Sequence, residues 1–135
     1  EAIEHYKEML RLNPNDNQGI RDLLMPCLIV MGRDKEAEEL FNEYKDTLAV
    51  WMYSRALLDF RKLGDSEISR KSLRAAMKKN SHIPAYLLGR KKMPRFLPEY
   101  YSPGDESEAI FYTKENLEAW KTTPGALDWL IRQTK

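Results

Sequence analysis

Few residues in this chain could do chemistry, and their spacing assigns them little of it. His5 and His82 are the only histidines, and neither has a second histidine or a cysteine at ligand spacing, so no metal site is expected. Cys27 is the single cysteine and lies in an apolar run with Leu23, Leu24, Met25, Leu28, Ile29 and Val30. With no histidine near it in sequence, it reads as a buried, inert thiol. A lone cysteine also excludes an internal disulfide framework and fits a reducing compartment. Two acidic clusters, Asp34, Glu36, Glu38 and Glu39, then Asp105, Glu106 and Glu108, have the composition of a paired-carboxylate or cation site. Both fall on first turns of expected helices, where carboxylates complement the amino-terminal dipole and stay in water, and we adopt that account. Phosphate-binding loops, dinucleotide fingerprints, nucleophile elbows and zinc-protease motifs are absent. No catalysis, cofactor or metal is therefore expected.

The strongest polar signal runs from Arg70 to Arg95, which carries nine basic groups and no acidic one in a chain of net charge +1. Residues 1–46 hold eleven acidic and six basic groups, so the near-neutral total hides a polarised molecule. On a helix, Arg70, Arg74 and Lys78 recur every fourth residue and share a face, which Lys91 on a following segment could extend. Three readings stay open: a solvated face, a surface for an acidic protein, and RNA. RNA is disfavoured because only Tyr86 and Phe96 are near enough to stack on bases, and both read as core residues. Trp51, Trp120 and Trp129 are expected to be packing groups as well.

Helices must position these residues, and three glycines punctuate them. Gly32, Gly64 and Gly104 are followed five residues later by the small residues Ala37, Ser69 and Ala109, each one turn into a fresh amphipathic helix. Ala2, Tyr6 and Met9 form an apolar stripe that closes at Pro14. The stripe returns as Ala37, Leu40, Phe41 and Tyr44, and more loosely as Ile68, Leu73, Ala76 and Met77. Longer helices are expected over about Asn17 to Met31 and Leu48 to Leu63, with Tyr53, Leu57 and Phe60 inward in the latter. Pro26 should either kink the first of these or break it in two, and the flanking pattern favours a kink. Tyr86, Leu87 and Leu88 start a short helix that Pro94 stops. Residues 93–104 read as a stiff apolar loop packed onto the helices. Asp105 caps a helix to about Lys121 with Ala109, Tyr112, Leu117 and Trp120 inward, and Pro124 opens a last short one.

At 135 residues and 42 % hydrophobic content, one domain with a real core is expected. No apolar run is long enough for a membrane helix and no signal peptide appears, so no membrane is expected and the chain reads as cytoplasmic. The sequence opens at Glu1 inside a helical pattern, which reads as a piece of a longer chain. Its truncated amino-terminal face should invite self-association.

Ala2 to Ala37 and Tyr6 to Phe41 are both 35 residues apart, close to the ~34-residue period of tetratricopeptide repeats, and the chain resembles that family. The resemblance implies a right-handed superhelical array of antiparallel helix pairs, all α, with about three repeats and a C-terminal capping helix. Residues 1–83 would be the repeat region, and 84–135 a degenerate repeat with a proline-rich loop and capping helices. Ser69 departs from the family pattern, where alanine is usual. The first helix of each repeat lines the groove of such an array. Arg21, Met25, Trp51, Arg55, Tyr86 and Arg90 are thus the candidate groove residues, and Arg70, Arg74, Lys78 and Lys91 the candidate basic face. A clamp for chaperone tails is argued against, since the two long helices hold no lysine before Lys62. The expected function is a protein-interaction scaffold for a protein or peptide, an acidic partner being one that the basic face would suit. RNA binding, or service as an accessory domain of a larger enzyme, are the alternatives.

A second likeness covers residues 80–130. The run Asn80-Ser81-His82-Ile83-Pro84-Ala85-Tyr86-Leu87-Leu88-Gly89, with Pro103 to Ala109 and Trp120 to Ala126, is similar to the tail of the suppressor-of-tumorigenicity-seven family. Together with Asn13 to Arg21, it suggests a soluble, bacterial-type relative without the membrane segments of the eukaryotic members. That likeness implies a helical scaffold with no assigned reaction.

Overall fold

The computed structural model describes residues 2–13 and 18–135, and within them the chain is all α, with eight helices and no strand. Pro14 and Asn17, expected to close the first helix and open the second, lie outside the described residues. The helices are α1 (Ala2–Leu12), α2 (Gln18–Val30), α3 (Asp34–Glu43), α4 (Ala49–Leu63), α5 (Glu67–Lys79), α6 (Ile83–Leu87), α7 (Glu106–Thr122) and α8 (Ala126–Gln133). Neighbours in sequence pack on one another: α1 on α2, α2 on α3, and α4 most extensively on α5. α7 departs from that order by lying against α2 and α4.

Each restart has a local cause. Gly32, Gly64 and Gly104 have φ of 74°, 66° and 90°, a region open to glycine because it has no Cβ. Five residues on, Ala37, Ser69 and Ala109 are all 0 % exposed. Ser69 replaces alanine for a visible reason. Its hydroxyl donates to the Gly64 carbonyl at 2.7 Å and accepts from the Ser66 amide at 2.9 Å, completing a capping box at the start of α5. Asp105 caps α7 as expected, accepting from the amides of Ser107 and Glu108.

α4 is the central helix. Ala49, Val50, Trp51, Tyr53, Ala56, Leu57 and Leu58 are buried on several of its sides, which requires neighbours around it, and α2, α3, α5, α7 and α8 supply them. Phe60, half-buried, stacks on Trp129. α2 runs unbroken through Pro26, against the two-helix alternative.

Four expectations need correction. On α1 the buried residues are Ile3 and Leu10, while Ala2 is exposed and Tyr6 and Met9 are half-covered; α1 packs chiefly on α2, and Ala2 and Tyr6 border an open groove. Ile68 is 60 % exposed, because the inward face of α5 is Ser69, Leu73 and Ala76, and Ile68 lies about 100° round the helix from Ser69. The short helix α6 ends at Leu87 rather than near Pro94. Gly89, with φ 73°, turns the chain there, and the amides of Arg90 and Lys91 return to the Ala85 carbonyl. Finally, residues 93–104 do not pack down as a whole. Met93 touches the core and Tyr101 meets Phe111, but Phe96 and Tyr100 are 81 % and 82 % exposed. The prolines keep the segment extended, and with both ends pinned its middle stands off the helices.

Ala37 gives a sharp test of this packing. Ala37→Leu is expected to cost roughly 1–3 kcal/mol by overpacking a closed site, whereas Ala2→Leu should leave the urea midpoint nearly unchanged. Equal effects from the two would contradict the packing described.

Candidate functional site

The six candidate groove residues are not brought to one open surface. Met25, Trp51 and Tyr86 are 1 %, 3 % and 8 % exposed, so most of their surface is core, although Trp51 and Arg55 together line an open cleft of about 240 Å³ with Phe41, Met52 and Ser72. α7 occupies one face of α2 and α4, while Trp51 is also covered from α3, edge-on to Phe41 at 5.0 Å and donating its Nε1–H to the Tyr44 carbonyl at 3.0 Å. Ser54 Oγ on α4 lies 3.1 Å from Tyr112 OH and donates to Asn116 Oδ1 at 3.3 Å, and the Tyr53 and Tyr112 rings meet at 5.7 Å. Ser54, Thr113 and Asn116 are buried, and nothing in their sequence neighbourhood announced this docking. Tyr86 instead donates to Glu106 at 2.7 Å. Arg21 lies 3.8 Å from Asp46 and over the Tyr44 ring, Arg55 pairs with Glu38 and Asp59, and exposed Arg90 donates to Thr134.

What remains between α2, α4 and α7 is a small cavity of about 50 Å³ reached by Asp22, Trp51, Ser54, Tyr101 and Glu115. The Asp22 carboxyl is pushed up to about 7, first by burial and then by repulsion from Asp46, with Arg21 opposing and Glu108 adding. Its unfolded value is about 3.9, so the folded chain holds the proton more tightly. The resulting stabilisation is fully present below about pH 4 and is lost as pH rises through about 7. Asp22→Asn should remove that slope and raise the melting midpoint in mildly alkaline buffer. A parent midpoint that does not fall between weakly acid and weakly alkaline pH would refute the assignment.

An open apolar groove lies elsewhere, between α1 and α2. It measures about 300 Å³ and is lined by Ala2, Tyr6, Leu23, Cys27, Val30 and Met31, with Glu115 of α7 as its charged group. Met31 is 64 % exposed there. Cys27 is half-buried, not enclosed as expected, because it lines this open groove; burial, then the nearby Glu115, pushes its thiol up. The sequence marked Ala2 and Tyr6 as part of an apolar stripe, but gave no such role to Leu23 and Val30. A larger cleft, about 340 Å³ between α1, α2 and α3, is rimmed by charge, including the Lys7–Glu36 pair.

The basic face is partly spent on internal pairs. Arg70 meets Asp65 at 3.0 Å and Lys91 meets Glu106 at 2.7 Å. Arg74 and Lys78 are exposed, with no acidic partner among the described residues. No group of three or more His, Cys, Asp or Glu among the described residues is placed to hold a metal ion, and none of their helices is long and apolar enough to cross a membrane.

No family model matches the chain, and no solved structure does. A Protein ST7 homolog of Caenorhabditis elegans is 33 % identical over 99 residues, which is 61 % of this chain and 18 % of that protein. The chain thus matches less than a fifth of that relative's length. This distant, partial similarity supports a relation to the suppressor-of-tumorigenicity-seven family, and no comparison supports the tetratricopeptide resemblance.

Proposed function

We propose that the chain is a non-catalytic protein-interaction module of helical-repeat type that receives an amphipathic helix of a partner protein in the α1–α2 groove. One observation carries this reading. Ala37 and Phe41 on α3 are buried, with Phe41 edge-on to Trp51 at 5.0 Å, whereas Ala2 and Tyr6, 35 residues earlier in the same pattern, border an open apolar groove. α3 packs against both α2 and α4, whereas α1 packs chiefly on α2. A further helix is the shape that would complete α1, with apolar residues at three- and four-residue spacing and a cation for Glu115. In this reading α2 and α4 are the inner wall of a right-handed array, and α7 is its built-in occupant. Binding energy then resides at the α1–α2 edge rather than at Met25, Trp51 or Tyr86.

Cys27 makes the reading testable, because it is the only thiol and it lines the groove. With no partner present, concentrated protein is expected to cap the groove with a second copy, since exposed apolar surface at the end of a repeat stack associates. Sedimentation mass should rise and maleimide alkylation of Cys27 should slow together, and Tyr6→Glu with Val30→Glu should reverse both. A protein partner must slow alkylation in the same way. Partner binding with alkylation unchanged would move recognition off this groove.

A further inference from the structure

We propose that the segment Pro94 to Tyr100, with the cations that precede it, is a contact site for an anionic lipid surface. Its ends are pinned, by Met93 against the core and by Tyr101 against Phe111 at 5.2 Å. Between the pins, Phe96, Tyr100 and Leu97 are 81 %, 82 % and 39 % exposed, which is unusual for three large apolar side chains at one place. Pro94 and Pro98 stiffen the tip, so little order remains to be lost on contact.

Charge decides what the tip fits. Arg90, Lys91, Lys92 and Arg95 are all exposed, against one acid, Glu99. Lys91 is held by Glu106, and Arg95 sits over the Phe96 ring at 5.8 Å. Beyond the tip the chain returns beside the end of α5, where a Cβ on Gly104 would stand 3.5 Å from the Lys79 carbonyl, next to exposed Lys78 and Lys79. Cations behind an aromatic and aliphatic tip match the order of a bilayer surface, phosphates outermost and acyl chains beneath. RNA would use the aromatic faces but has no use for Leu97, Pro94 and Pro98. Among the described residues, the backbone from 92 to 101 makes no hydrogen bond to the rest of the chain. Its amides therefore stay at the hydrated headgroup level while the side chains reach deeper.

The full chain should cosediment with phosphatidylcholine vesicles containing phosphatidylserine, and much less with phosphatidylcholine alone, with added salt weakening the binding. Phe96→Ser with Tyr100→Ser should lower the partition about tenfold or more. Lys92→Gln with Arg95→Gln should lower it roughly 20- to 30-fold, at about fivefold per cation. Both variants change exposed residues and should melt with the parent; if either does not, the salt titration and lipid comparison of the parent decide. Equal partition onto both vesicle types, none onto either, or unchanged partition by folded variants would overturn the proposal. So would tighter capture of a single-stranded RNA oligonucleotide that displaces the protein from vesicles.

Discussion

Trp129→Ala is expected to destabilise the chain by roughly 3–5 kcal/mol, the range for emptying a closed aromatic site. Trp129 is 0 % exposed. Its ring stacks on Phe60 at 4.6 Å and lies nearly parallel to Trp120 at 6.5 Å, and its Nε1–H donates to Asp65 at 3.1 Å. It joins α8 to α4, α7 and the turn after α4. α8 has eight residues, too few to stay helical in water unaided, so the cavity should be accompanied by its detachment. Trp129→Phe keeps most of the stack and loses the hydrogen bond, a change of about 1 kcal/mol. Urea unfolding with near-ultraviolet circular dichroism would show both effects, and an alanine variant as stable as the phenylalanine one would refute this account of α8.

Asn80→Ala is expected to cost about 3 kcal/mol, because one small side chain joins three segments. Asn80 is 1 % exposed. Its Nδ2 donates to Glu108 Oε1 at 2.8 Å and to the Asp105 carbonyl at 2.9 Å, while its Oδ1 accepts from the His82 amide at 2.8 Å. Glu108 is 0 % exposed and otherwise has the Gly104 amide as a donor. Truncating Asn80 therefore strips a buried carboxylate of one of its few donors, which costs more than losing a neutral pair. In a Glu108→Gln background the same truncation should cost less, because the amide carries no charge to leave unsolvated. A double-mutant cycle reads that difference directly, and strict additivity would show that the two residues do not act together.

These two residues show how unevenly the molecule could be read in advance. The type of Trp129 already implied packing, and the apolar pattern around it marked a buried helix. Asn80 was noticeable only as part of a family-like run, since nothing in its neighbours says that it reaches Glu108, 28 residues away. The same contrast holds for the candidate site. Ala2 and Tyr6 were legible as one apolar stripe, while Leu23 and Val30 looked like ordinary core. Phe96 was read as core and stands in water.

Helix positions were within reach of the residues themselves because their causes are local. Apolar spacing placed α4 within one residue of the expected Leu48 start, Asp105 opened α7, and glycines at positive φ closed the segments before Ala37, Ser69 and Ala109. Which stripe of each helix is covered was decided only in the tertiary structure. Ala2 and Ala37 occupy the same local pattern, yet one is exposed and the other has no accessible surface, because burial depends on which distant segment arrives. α7 settles on α2 and α4 and α3 covers Trp51 through Phe41 and Tyr44, so Met25 and Trp51 are mostly core, while the α1–α2 edge stays an open apolar groove. Periodicity records that a helix has an apolar face; it holds no record of the partner that covers it.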